Sequence, residues 1–351
     1  MRARALALLV PIAIACGSGG WDAQSKVNSV RMFGVRADKP YASAGETVTL
    51  ETLVADGRRD KVRELKTVWI PVVCVNPRED LYYACFIPSQ TADGTPIDGG
   101  ARLEPPFPVD GGVPSAAPDG GAAGLLASIP RDVDLSAFLP QGNTFTFQMP
   151  EDVLKERPGT VPYGLVIIFN IACAGQVRIA DRQGNAPQQV PIRCTDENGG
   201  ELGPNDYVIG INRVYSYADR TNANPVVEKI TLDGKDVDLD AGITIDRCVA
   251  SRRADCFEHK IDVKVTPESW EEYPEPLLAT TQREQVWATY YTDLGDFNDA
   301  ARLLFDTKAG RISDSDIKYR APNDPGDGTI WIVTHDNRAG AAFTLVPLHV
   351  K

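Results

Sequence analysis

The chain has 351 residues, enough for two ordinary domains with cores of their own, and its hydrophobic fraction of 43% is too high for a disordered protein. A formal net charge of −12 repels phosphate backbones and anionic headgroups; this argues against nucleic-acid binding and electrostatic membrane adsorption, and leaves cations, neutral glycans and basic protein patches as partners. No apolar stretch reaches the roughly 18 residues at which a membrane span is expected.

The chain opens with Arg2 and Arg4 and an apolar run from Ala5 to Ala15. This is the layout of a secretory signal, too short to span a bilayer and interrupted by Pro11. Ala13-Ile14-Ala15-Cys16 resembles a lipobox, the site at which bacterial lipoproteins are cleaved and diacylated on cysteine. The family usually carries Leu where this chain has Ala13, and Ala13-x-Ala15 also suits ordinary signal peptidase. The seven cysteines, Cys16, Cys74, Cys85, Cys173, Cys194, Cys248 and Cys256, favour the first reading. Lipidating Cys16 leaves an even number for an oxidising compartment. The resemblance implies a signal peptide over 1–15, lipidation (palmitate) at Cys16, and a small, polar tether over 16–26. No Asp follows Cys16, which implies an outer-membrane lipoprotein on the periplasmic face or the cell surface.

Beyond the tether the chain reads as short strands separated by Gly, Pro, Asn and Asp clusters, the pattern of an all-β sandwich. Strands are expected at Val27–Val35, Thr47–Val54, Val68–Val75, Gly164–Cys173 and Tyr207–Tyr217. Others are expected at Val226–Leu232, Gln285–Thr292, Thr329–His335 and Ala342–Val350. Phe145, Phe147, Met149 and Ile261, Val263, Val265 alternate with polar residues, so one face is buried and one wet. Val161–Cys173 is apolar enough to be a buried strand. Asp296–Phe305 reads as a helical turn or two, on ambiguous spacing.

Two halves follow, 27–220 and 224–351, with the polar segment Ala218–Asn224 as linker. The region 88–143 is dense in Pro, Gly, Asp-Gly and Gly-Gly. Its composition favours a disordered insertion over a functional loop, with Leu125–Leu139 as the part that folds back as a short turn.

The six remaining cysteines fall into sequence neighbours: Cys74 with Cys85, Cys173 with Cys194, and Cys248 with Cys256. Many pairings are combinatorially open, and local pairing is the simplest. The chain has no C-x-x-C, and only His259 among its histidines lies near a cysteine, so structural disulfides outrank a metal or redox site.

Val35-Arg36-Ala37-Asp38-Lys39-Pro40 followed by Ala44-Gly45-Glu46-Thr47-Val48-Thr49-Leu50 resembles the opening of bacterial immunoglobulin-like domains, in which Trp69 would be the core aromatic of the third strand. Gly328-Thr329-Ile330-Trp331-Ile332-Val333, Asp336-Asn337-Arg338-Ala339-Gly340 and Phe343-Thr344-Leu345 resemble the last hairpin of immunoglobulin-like, PKD or cadherin-like modules. The whole chain is similar to tandem-domain lipoproteins of Gram-negative bacteria. This implies two tandem immunoglobulin-like β-sandwich domains, the first with the 88–143 insertion, and implies no activity.

Catalytic motifs are missing from the sequence. It has no G-x-S-x-G and no H-E-x-x-H. His259, His335 and His349 lie in or beside expected strands, and no carboxylate pair stands out for glycoside chemistry. Calcium is the one cofactor with candidates. Asp236-x-Asp238-x-Asp240 starts as an EF-hand loop does, but Ala241 and Arg247 occupy its sixth and twelfth positions. Asp293, Asp296 and Asp299, with the turn Asp324–Asp327, would give a looser site near domain ends; the competing reading is Asp serving its ordinary role in turns. Two function classes remain. One is a lipid-anchored, non-enzymatic envelope module for adhesion, scaffolding or an exported complex, with an envelope protein or glycan as partner. The other is an accessory binding protein or enzyme, glycan- or peptide-directed, with a loop-borne site.

Overall fold

The computed structural model describes residues 23–60, 63–87, 101–106, 133–154, 163–180, 190–275 and 280–351. The expected signal peptide, Cys16 and most of the 88–143 insertion lie outside them. Among the described residues the regular structure is all β, with a few single 3-10 turns and no α-helix.

In the first half, β1 (Val30–Ala37), β2 (Thr47–Asp56) and β5 (Thr144–Gln148) form an antiparallel sheet. A second sheet has the order β4 (Arg102–Glu104), β3 (Lys66–Val75), β6 (Tyr163–Cys173), β9 (Tyr207–Tyr217). Strand β6 is apolar almost throughout because both of its faces are covered. On one face Val166 and Ile168, with Trp69, Val73 and Val214, meet Val48, Leu50, Phe145, Phe147 and Met149 of the first sheet. This is the sandwich core, and Trp69 lies wholly inside it. Between β1 and β2 the chain turns at Gly45, whose φ of +77° suits a residue without Cβ.

On the other face Leu165, Ile167, Phe169 and Ile171 lie under a third layer. That cover comprises Phe86 of the 3-10 turn Tyr82–Phe86, Leu135 of the turn Leu135–Ala137, and the hairpin β7 (Gln176–Ile179) and β8 (Ile192–Thr195). Two disulfides, Cys74–Cys85 and Cys173–Cys194, fasten it to the sheet. Each such bridge contributes on the order of 2–4 kcal/mol. The first half is therefore thicker than a simple two-sheet sandwich.

The expected disorder of 88–143 does not hold for its described parts. Residues 102–104 pair with β3, Leu135 is fully buried, and the Trp69 backbone N–H donates to Pro140 O at 2.9 Å. The Trp69 indole N–H donates to Gly142 O at 2.9 Å. Composition missed this because a few of the apolar residues in these parts, Ala101 and Leu135, are buried, while Phe138 stays exposed.

The second half contains a five-stranded sheet and a six-stranded sheet. The first has the order β11 (Lys235–Asp236), β10 (Val227–Leu232), β13 (His259–Val265), β20 (Ile317–Arg320), β17 (Asp296–Phe297). The second has the order β12 (Ile243–Ile245), β22 (Ala341–Val350), β21 (Gly326–Asp336), β16 (Val286–Thr292), β18 (Ala301–Asp306), β19 (Gly310–Arg311). A two-stranded ribbon, β14 (Glu272–Glu275) and β15 (Thr280–Arg283), lies apart from both. The alternating Ile261, Val263 and Val265 meet Tyr290, Ile330, Ile332, Val346 and Leu348 in the core. Cys248–Cys256 closes the third disulfide, so all three pairs join the expected neighbours. Asp296–Phe305 is not helical. It supplies β17 and the start of β18, because pairing with β20 and β16 satisfies its backbone and takes Leu304 and Phe305 into the core.

The two halves touch through the outer faces of β1–β2 and β16–β21–β22. Phe33 sits between Tyr291, with ring centroids 4.8 Å apart, and Trp331, at 5.0 Å. Val27, Leu53, Ala55, Val333 and Phe343 complete this cluster. The expected tether over 16–26 ends early, since Ser25 is buried and Ser25 O accepts the Thr292 N–H at 2.9 Å. The expected linker is likewise pinned. The Asn224 side chain donates to Ala37 O at 2.7 Å and accepts from the Ala341 N–H at 2.9 Å, and Asn222 is buried.

Candidate functional site

A cleft of about 710 Å³ opens where the halves meet. Its first wall is the N-terminal arm Lys26–Asn28, held on the end of β16 by the Val27 N–H, which donates to Thr292 O at 2.8 Å. The second wall is the turn after β2, Gly57–Asp60. A Cβ on Gly57 would lie 2.3 Å from Val27 O, so only glycine lets the arm and the turn approach this closely. The third wall comes from the second half: Arg253, Asp293–Gly295 and Pro322–Asp324.

Most charges here neutralise one another. Arg58 donates to Asp56 at 2.8 and 2.7 Å and also to Asp206, and these carboxylates hold it firmly in the charged form. Arg253 pairs with Asp296 at 2.7 Å and donates to the carbonyls of Arg320 and Ala321. Lys26, Arg59 and Asp60 are exposed at the rim. Among the described residues the lining offers hydrogen bonds of both signs and no serine, cysteine or histidine. It can hold a polar ligand.

The calcium candidates are not gathered into a cage. Asp293 Oδ1 accepts the Thr329 N–H at 2.8 Å, Asp296 is paired with Arg253, and Asp299 pairs with Arg302 at 2.6 Å. The Arg302 guanidinium, hydrogen-bonded to Asp299, lowers its pKa. Asp236 pairs with Lys229 at 3.0 Å, and Asp238 caps its own turn through the Asp240 N–H at 2.9 Å. Among the described residues no three His, Cys, Asp or Glu side chains converge on a common point. The acids serve turns and arginines.

The histidines are apart. His259 Nδ1 lies 2.8 Å from Asp233 and His349 Nδ1 2.7 Å from Asp327. His335 stacks on Trp287 with centroids 5.3 Å apart, and burial lowers its pKa to about 4, which keeps it neutral.

Sequence reading missed a buried ionic cluster at the other end of the junction. Arg338, 5% exposed, donates to Glu284 at 3.1 Å and Glu271 at 3.3 Å, and also to Thr221 O of the linker. Its guanidinium lies over Tyr41 of the first half and Tyr273 of the second, 5.2 and 4.4 Å from the ring centroids. Asp336 accepts the backbone N–H groups of Arg338 and Gly340 at 2.7 and 2.8 Å and the Asn222 amide at 3.1 Å. Burial raises Glu284 to about 7 and pushes Asp336 up as well. The Asp336–Gly340 turn was legible; its burial depends on the linker folding over it.

No protein-family model and no curated protein matches the chain. Among solved structures it is similar to the fibronectin(III)-like modules of Clostridium thermocellum CbhA, at 9% identity and a TM-score of 0.21, with 91% of this chain and 94% of that one covered. Red sea bream transglutaminase aligns at 8% identity and a TM-score of 0.21 over 93% of this chain and 32% of its own. Extracellular domains 3–5 of Drosophila OTK align at 11% identity and a TM-score of 0.15, with 92% and 98% covered. Overlaps this loose carry no argument about function.

Proposed function

We propose that the chain is the ectodomain of an outer-membrane lipoprotein, held by lipid at Cys16, that acts as a non-enzymatic adhesion, scaffolding or exported-complex module. The observation that carries the module reading is the junction. The Phe33 cluster at one place and Arg338, Asn222 and Asn224 at another lock the halves together, so loops stand at a set distance from their anchor. The anchor itself is supported by cysteine parity: six of the seven are paired with one another, and Cys16 is left over. Three disulfides also suit an oxidising compartment. Chemical crosslinking in the native envelope tests the module reading. Recovery of one stoichiometric envelope partner is expected; turnover of a glycan or peptide by the purified ectodomain would overturn it.

The cleft favours a second reading, an accessory protein that binds a polar glycan or peptide between the halves. The exposed cations Lys26 and Arg59 would then be contacts. Replacing Arg59 with Glu should weaken such binding without changing the melting temperature.

A further inference from the structure

The two most exposed large hydrophobic side chains among the described residues are Val249, at 84%, and Phe257, at 70%. Single exposed apolar residues are ordinary, but these two flank the same disulfide, Val249 just inside the loop it closes and Phe257 just outside it. Each directly follows a cysteine of the Cys248–Cys256 bridge, whose Cα atoms are 5.4 Å apart, so their own Cα atoms lie within about 13 Å of each other. The back of the loop is fastened to the protein. The Cys248 N–H donates to Pro322 O at 2.8 Å, and the Asn323 amide donates to Cys248 O at 3.1 Å. Arg253, inside the loop, donates to the carbonyls of Arg320 and Ala321. A fixed loop with two outward apolar side chains is built to meet an apolar surface.

The position of the loop says which surface. Arg253 and Pro322 line the same cleft as Lys26 and Asn28, so the loop stands one cleft's width from the arm with which the described chain begins. From Ala23 back to Cys16 is no more than about 25 Å of extended chain. We infer that the Cys248–Phe257 loop is a second membrane contact, with Val249 and Phe257 entering the lipid interface beside the Cys16 anchor. This inference rests on the anchor reading above.

The contact is apolar rather than electrostatic. The chain carries −12, and the loop's Arg252 is paired with Asp255 at 2.8 Å. It should therefore tolerate salt and favour zwitterionic over anionic lipid.

The test uses the lipidated full chain reconstituted into phosphatidylethanolamine vesicles, with the soluble Cys16→Ser chain as reference. Backbone hydrogen exchange across residues 248–257 should slow at least several-fold on vesicles and stay slow at high salt. A Val249→Trp variant should lose fluorescence to brominated lipid, and Phe257→Ser should reduce that quenching. If the lipidated chain sediments with vesicles while loop exchange and Trp quenching match the soluble form, the contact is refuted, and the loop is left to face a protein. If the chain does not sediment at all, the anchor reading has failed first.

Discussion

Phe33 of β1 stacks on Trp331 of β21 with ring planes 22° apart and centroids 5.0 Å apart. The pair belongs to opposite ends of the sequence and lies on the outer faces of two different sheets. An outward Trp beside Tyr291, Val333 and Phe343 would otherwise be a large apolar patch; the first half covers it.

Phe33→Ala should therefore act on the coupling between halves as well as on stability. Truncating a buried Phe costs about 3–5 kcal/mol. Calorimetry should show one transition for the native chain and, for the variant, two that begin at a lower temperature. One transition at the native temperature would mean that the halves do not depend on this contact.

The Arg338 guanidinium pairs with buried Glu284 and part-exposed Glu271, and its charge also favours the ionised form of nearby Asp336. Arg338→Met leaves these carboxylates without their cation and should destabilise the chain by about 3–5 kcal/mol. Denaturant titration at neutral pH would measure it.

The same cluster sets a pH dependence. Glu284 has a folded pKa of about 7, above its ordinary 4.5, because burial disfavours the charged form. Between those two values the folded state holds a proton that the unfolded state has released. The contribution of this group to stability therefore falls as pH rises from about 4.5 to 7 and is lowest above 7. Asp336, also raised, acts in the same sense. Thermal melts across this range should show that slope in the native chain and a shallower one in Glu284→Gln. Equal slopes would contradict the assignment.

The bridges should differ in weight. Cys173–Cys194 closes 21 residues and Cys248–Cys256 only 8. Replacing the first pair with serines should cost on the order of 1 kcal/mol more than replacing the second, from loop entropy alone. Paired unfolding curves of the two variants would show it.

EDTA should leave the melting temperature of the chain unchanged, because Asp293, Asp296 and Asp299 already have a backbone donor or an arginine as partner. A drop restored by calcium would mean that these partners are exchanged for metal.

What was legible in the sequence was periodic or covalent. The alternations at Phe145–Met149 and Ile261–Val265, the apolar run of β6 and the three local cysteine pairs each depend on near neighbours. The last hairpin, with its Asp336–Gly340 turn, was legible for the same reason. What escaped depends on partners far along the chain. Asp296–Phe305 has weak local preference and becomes strand through β16 and β20. The fold-back expected within Leu125–Leu139 is present in its described part as the turn Leu135–Ala137, but the burial of Leu135 against the outer face of β6 depends on residues far along the chain. Arg338 and Glu284 look like surface charges in sequence; only the folded linker excludes water from them.

The proposed function depends first on the lipid at Cys16. Mass spectrometry of the N-terminal peptide, taken from protein isolated from its native envelope, tests it most directly. The expected mature chain begins at Cys16, lacks residues 1–15 and carries the added mass of acyl chains on that cysteine. An N-terminus elsewhere, or an unmodified thiol at Cys16, would contradict it.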